Sequence, residues 1–296
     1  MSDFAVYKNL FIFLGGLVMK KNKSLTTKGL IGCKVLAAAV TLGIMSGSLM
    51  AAPVYAERID NSKSFDSDTT IDAGNDNSVY IYDGKDAVVE IKQGTLTLKN
   101  DGDYPSVAVE ENSKLTFKGD TVLIEKGDDE AEVIWVANGC KLDFANAKTI
   151  ITGGGWAGLA TGEDASISSN ELLISNTSTS EDHQGLSLNS NSKFEGNGAV
   201  TIDIHNGEEV IGISSYSGSF KGHQAVNINT SNGENLYGIY SDGSNFTFNE
   251  NLIIKNTGNT STESNIGINL IDNTRSSKKF LSNKNIDIDL QGEPTP

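Results

Sequence analysis

Three histidines, His183, His205 and His223, are the only imidazoles in the chain, and each sits in a polar, turn-like stretch. Asp182 precedes the first, and Asp203 lies two residues before the second. A Ser–His–Asp relay could be drawn from so many serines, but none occupies a Gly-x-Ser-x-Gly context that would present a nucleophile on a tight turn. The three read as solvated loop side chains, too dispersed for a transition-metal ligand set. Glycoside hydrolysis asks for two carboxylates ~5–9.5 Å apart on one face. Asp203, outward between Ile202 and Ile204, has Asn229 as its counterpart 26 residues on, so the acid is not repeated there. The residue types and spacings therefore nominate no catalytic and no cofactor-binding residues.

Two weaker patterns concern binding. Asp66, Asp68, Asp72 and Asp76 offer hard oxygen ligands of the kind Ca²⁺ takes, although their spacing matches neither an EF-hand loop nor a Gly-Gly-x-Gly-x-Asp repeat. A solvated acidic segment is the alternative, and no metal ligand set is assigned beyond these Ca²⁺ candidates. Trp135 lies between Ile134 and Val136, which predicts an outward ring, and Trp156 precedes Ala157 and Leu159 with the same parity about one repeat later. Two outward rings on one face could stack on sugars without any charge, or could be covered by packing. Cys140 shares parity with Leu142 and Phe144 and reads as a small buried apolar group. Gly153-Gly154-Gly155 lacks the Lys-Ser/Thr of a phosphate loop and reads as a corner.

The elements that must carry these residues are repeats. Ala199–Gln224 and Ala225–Glu250 align without gaps over 26 residues with ten identities, among them Gly212/Gly238, Ile213/Ile239 and Phe220/Phe246. The pattern drifts backwards to units starting near Thr95, Thr121, Lys148 and Leu172, and forwards through a longer unit to a final Asn285–Leu290. Each unit holds three short runs of alternating apolar residues, such as Val200/Ile202, Ile211/Ile213 and the Phe220 region. Period-two alternation buries one face and wets the other. Gly, Asn, Asp and Ser fill the gaps, which is turn chemistry; Asn235 is placed on such a loop. A fixed repeat is the mark of a one-dimensional architecture, in which each unit is buried by its neighbours. The fold class is all-β: a right-handed parallel β-helix of about seven coils, three short strands per coil, with an antiparallel sandwich as competitor because Asn-Gly pairs at 138, 197, 206 and 232 can make hairpins.

Composition sets the address. The 296 residues carry 23 Lys+Arg against 38 Asp+Glu, a net charge of −15. That balance leaves nothing to neutralise phosphates and excludes a nucleic-acid partner. Lys20-Lys21-Asn22-Lys23, Lys28 and Lys34 precede an apolar run from Val35 to Met50, and Val54 and Ala56 stand at small-residue cleavage positions. This order is that of a secretory signal peptide with a helical apolar region, spanning 1–56, with Met19 as a possible true start. Cys33 in Leu30-Ile31-Gly32-Cys33 spells a lipobox, but before the apolar run, where a lipobox does not belong. Six basic residues and one acid fall in 1–56, leaving 17 basic and 37 acidic side chains in the remainder. Residues 57–94 are then an N-terminal cap with first strands, and 95–296 the β-helix repeats.

A long leader followed by a Gly/Asn/Ser/Thr-rich, cysteine-poor, acidic repeat of the form Val-x-Ile…Gly-Glu…Gly-Ile-x-Ser…Phe-x-Gly resembles the passenger domain of bacterial autotransporters (type V secretion). The resemblance covers roughly residues 19–290. It implies export across the inner membrane, display at the cell surface or outer membrane, and adhesion to a host-cell or matrix surface, glycans included, without catalysis. It also implies a C-terminal outer-membrane barrel, which is missing from this chain: the sequence ends Gln291-Gly-Glu-Pro-Thr-Pro296 without a series of amphipathic strands, so the chain reads as truncated. Carbohydrate-acting enzymes share the β-helix and are the alternative. Such lyases resemble one another in an Asp cluster that holds Ca²⁺ and a basic proton abstractor, and neither Arg58 nor Arg275 lies beside stacked acids. An inactive gene fragment is the third reading.

Overall fold

The computed structural model describes residues 58–127, 131–176, 182–259, 264–271 and 279–292. The leader 1–56 with its helical signal peptide, Met19 and Cys33, and also Arg275, lie outside the described residues. The chain divides into Met1–Ala52 and Pro53–Pro296, and every described residue belongs to the second unit.

That unit is all-β, with no helix among the described residues. Its 22 strands form one parallel sheet wound into a β-solenoid of about seven turns from Thr95 onward. Every pairing is parallel, which removes the antiparallel sandwich. The Asn-Gly pairs are therefore not hairpin turns. Asn206 (φ 63°) and Asn232 (φ 58°) instead mark corners inside the long strands Val200–Tyr216 and Val226–Asp242. The 26-residue repeat is the helical pitch in sequence: Val200 pairs with Val226, Ile213 with Ile239 and Phe220 with Phe246. Winding begins earlier than Thr95, since Lys63–Phe65 pairs with Val89–Ile91 and Thr69–Asp72 with Leu96–Lys99.

Each turn contributes one strand to each of three faces, and equivalent side chains stack into columns. On the first face the inward column runs Ile71, Leu98, Ile124, Ile151, Ile174, Ile202, Ile228, Ile254 and Ile288. All but the last are buried. On the third face Phe194, Phe220 and Phe246 stack at 5.1 and 6.1 Å between centroids, and Phe117 stacks on Phe144 at 5.6 Å. Burying each such side chain stabilises by about 1.5–3 kcal/mol. A column of one residue type keeps each turn identical to its neighbour, so the fit made at one rung is made at the next.

Glycine fills the bend into the second face in five successive turns: Gly158, Gly185, Gly212, Gly238 and Gly267. A Cβ on Gly212 would press into the Ile228 Cγ2 methyl and stand 2.6 Å from the Gly238 carbonyl oxygen. The isoleucine column is thus seated on a glycine column. The corner before the third face is left-handed in seven successive turns, at Gly84, Asn112, Gly139, Asp164, Asn191, Ser217 and Gly243, with φ between 56° and 69°. Six of the seven are Gly, Asn or Asp, the types that tolerate this conformation, with Ser217 the exception, and the turn chemistry seen in the sequence has this cause.

Asparagine has a second use. Asn100, Asn176 and Asn256 lie inside the corner after the first face, fully buried, with Lys126 and Thr230 in the same column. Asn176 Nδ2 donates to the Gly155 carbonyl at 2.5 Å, and Asn256 Nδ2 donates to Ile266 O at 3.0 Å. Buried loop carbonyls that would lack partners are satisfied this way.

Candidate functional site

The sequence-nominated residues are dispersed by the fold. Asp66 forms an exposed ion pair with Lys92 at 2.7 Å, and that ammonium holds its carboxyl below the usual range. Asp68 accepts from Thr95 N at 2.7 Å, Asp72 caps Gly74 N at 3.0 Å, and Asp76 accepts from Arg58 at 3.3 Å. The four carboxylates serve four separate partners. Among the described residues no group of three or more His, Cys, Asp or Glu is placed to hold a metal ion, so the Ca²⁺ cluster read from the sequence is not assembled.

The two tryptophans are both half-buried and do not share a column. Trp135 points outward, as its parity predicts, and its neighbours on adjacent turns are Ala108 and Ala160. Trp156 lies four positions before Ala160, and its carbonyl accepts from Gln184 N at 2.8 Å. Its indole hydrogen-bonds Glu132, whose carboxyl is pushed up by burial. Cys140 is buried, and burial raises its thiol pKa, which leaves it an inert packing group.

Of the three histidines only His183 is covered; His205 and His223 are each 31% exposed, and His223 lies in the bend between Ser219–Gly222 and Val226–Asp242. His183 is buried in the strand Asp182–Leu188 with Nδ1 at 3.1 Å from Asn206 O, and burial lowers its pKa. His223 Nε2 lies 2.7 Å from Glu195. His205 joins Asp203 (3.0 Å) to Ser231 Oγ (2.5 Å). This Asp–His–Ser chain follows from pairing: Asp203 and His205 share an outer face, and Ser231 is the rung beside His205. Ser231 is only 9% exposed. The ring meets Ser231 through Nδ1 and Asp203 through Nε2, the reverse of the serine-on-Nε2, aspartate-on-Nδ1 order of a hydrolytic triad.

A site does form where the sequence repeat is faintest. A cavity of about 600 Å³ straddles the first two turns, lined by Arg58, Asp76, Asn77, Tyr80, Tyr104 and Glu110 among others, with Ala108 beside them. Small-ligand pockets run to ~300–1,000 Å³. The second face supplies Tyr80 and, on the next turn, Ala108 and Glu110; the preceding corners supply Asp76, Asn77 and Tyr104. Tyr80, Ala108 and Trp135 are successive rungs of one outward column. Neighbouring rungs lie ~4.8 Å apart, and Ala108, 2% exposed, is the small rung between two aromatic ones.

The polar groups are pre-set. Tyr80 Oη donates to Glu110 Oε2 at 2.8 Å. Arg58 pairs with Asp76 at 3.3 Å and lays its guanidinium 5.0 Å above the Tyr80 ring. Asn77 Nδ2 donates to Pro105 O at 2.6 Å. Behind the pocket the buried Lys126 Nζ donates to the carbonyls of Gly102 and of Tyr104, the latter at 3.3 Å. It thereby fixes the loop that presents Tyr104, which is 58% exposed. The sequence nominated Asp76 and weighed Arg58 but did not join them to Tyr80, Tyr104 and Glu110, because these residues come from two turns and three segments whose register the drifting repeat does not give. The pairing of Tyr80 and Tyr82, whose rings stack at 4.9 Å, was the available signal.

The Tyr80–Glu110 bond has a titration signature. Donation to the carboxylate, with burial adding to it, pushes the Tyr80 phenol up to about 12. The folded value is raised above the unfolded one near 10. Its contribution to stability is therefore complete below pH 10 and disappears as pH rises from 10 through about 12. Ultraviolet difference titration should show one tyrosine ionising late, and Glu110→Gln should return it towards 10. A late tyrosine that persists in Glu110→Gln would show that the bond is not its cause.

No family model, no curated protein and no solved structure matches this chain.

Proposed function

We propose that the protein is a secreted, surface-displayed β-solenoid of the autotransporter-passenger kind, acting in adhesion to host-cell or matrix surfaces and not by catalysis. The observation that carries the reading is the solenoid itself: stacked identical rungs, a buried cysteine and no disulfide among the described residues. A chain of that construction can cross a membrane unfolded and wind up afterwards, one turn templating the next. The basic-apolar-small order of the leader and the acidic surface of the remainder support export. Right-handed winding is part of the proposal, since crossovers between parallel strands favour that hand.

The test is display and adhesion. The full chain, expressed with its leader, should be recovered processed near Ala56, and beads coated with it should adhere to epithelial cells and matrix above an albumin control. Retention of the intact chain in the cytoplasm, or adhesion no greater than albumin, would overturn the proposal.

A second reading, a polysaccharide hydrolase, is favoured by one observation: Asp76 and Glu110 line the same cavity. It requires release of reducing ends from a polysaccharide by the native chain, lost in both Asp76→Asn and Glu110→Gln.

A further inference from the structure

From the geometry of the first two turns we infer that the Tyr80–Tyr104 cavity is a binding site for the neutral terminal sugar of a glycan. The inference rests on the adhesive reading above and gives that reading a ligand class and a place on the molecule.

Three features select the class. The first is the pairing of aromatic and hydrogen-bonding groups. Tyr104, more than half exposed at the rim, offers a ring face to the C–H side of a pyranose. Asp76, Arg58 and Glu110 offer acceptors and donors side by side to its hydroxyls. A sugar hydroxyl both donates and accepts, so a carboxylate held against a guanidinium is its natural counterpart. The second feature is that the cation position is already taken. Two tyrosines with two carboxylates would otherwise describe a cage for an ammonium ligand. Here Arg58 itself lies over Tyr80 at 5.0 Å, and its charge opposes a second cation at that ring. The third is charge at long range. The chain carries a net charge of −15, and the cavity adds two carboxylates against one guanidinium, so sialylated and sulfated termini are repelled. A neutral, hydroxyl-rich, one-face-apolar ligand is what remains.

The site is rigid before the ligand arrives. Tyr80 is tied to Glu110, Arg58 to Asp76, and the Tyr104 loop to Lys126 through its own carbonyl. Ordering these groups therefore costs little on binding.

The experiment is a glycan array probed with the purified full-length chain and with Tyr104→Ala and Tyr240→Ala variants, each verified as folded by circular dichroism. The array carries neutral hexose, N-acetylhexosamine, sialylated, sulfated and choline-bearing termini. Native protein is expected to retain neutral termini at least tenfold above the others. Tyr104→Ala should lose at least tenfold on the same spots. Tyr240→Ala, an outward aromatic on a distant turn, should bind as the native chain does. No retention of neutral termini, a preference for anionic or cationic ones, or equal binding by Tyr104→Ala would each overturn the inference. Cell adhesion, measured in parallel, separates the two readings. Adhesion that persists unchanged in Tyr104→Ala refutes the site and leaves the adhesive reading standing. Tyr104-dependent sugar retention without cell adhesion refutes that reading and leaves the site standing.

Discussion

Replacing Phe220 by Ala should destabilise the solenoid by about 3–5 kcal/mol, the range for removing a fully buried phenyl group. Phe220 is 1% exposed and touches aromatic neighbours on both adjacent turns, Phe194 at 5.1 Å and Phe248 at 5.5 Å. No helix or loop from elsewhere can close over the gap, because each rung is walled by rungs of the same kind. Lys221, the next residue on the strand, points outward and makes only an exposed ion pair with Glu195 at 3.2 Å. Lys221→Ala should therefore cost under about 1 kcal/mol. Urea unfolding with comparable m-values makes the comparison. Equal costs at the two positions would mean that the alternation along Ser219–Gly222 is assigned to the wrong faces.

The second large effect concerns a residue without a side chain. Gly212→Ala adds one methyl group where Ile228 Cγ2 and the Gly238 carbonyl already stand. Overpacking of this kind costs about 1–3 kcal/mol. The register makes the prediction sharper than its magnitude. In an Ile228→Ala background the methyl clash is gone while the carbonyl, 2.6 Å from the added Cβ, remains. Gly212→Ala should then cost less than in the native chain, but not nothing, and the cycle should show a coupling of about 0.5 kcal/mol or more. Strictly additive costs would show that the glycine and isoleucine columns do not pack on each other.

How the sequence discloses this fold is uneven. Where two units carry ten identities, at 199 and 225, the pairing register follows from alignment alone, and Ile213 does face Ile239. Parity also places Cys140, Leu142 and Phe144 inside. Parity fails at bends. Asn235, expected on a loop, is a strand residue paired with Glu209 and Ser264, because the strand runs through the corner without a break. Ile211 and Ile213 are both buried, at 3% and 0% exposed, and so is Gly212 between them, so this run does not alternate. The same bend-dependence separates Trp135 from Trp156. His183 was misplaced for another reason: a histidine flanked by Asp182 and Gln184 looks exposed, and only the stacking of turns reveals that it is covered. Buried Asn100, Asn176 and Asn256 were hidden likewise among 27 asparagines beyond residue 56 that otherwise read as turns.

Parallel strands that lie across the solenoid axis put their hydrogen bonds along it. Tension applied along that axis loads the turns in series, and each yields by peeling open one bond at a time instead of shearing a whole strand. Among the described turns the strand Ile286–Gly292 is the most open, with Ile286, Ile288 and Leu290 41–44% exposed against their buried partners Leu252 and Ile254. A turn that lets go releases as many residues as its register offset, 26 from Val200 to Val226 and 34 from Leu252 to Ile286, or roughly 90 to 115 Å of extended chain. A molecule built this way absorbs a pull by lengthening turn by turn, and the turns still wound keep their cavity and their rungs intact.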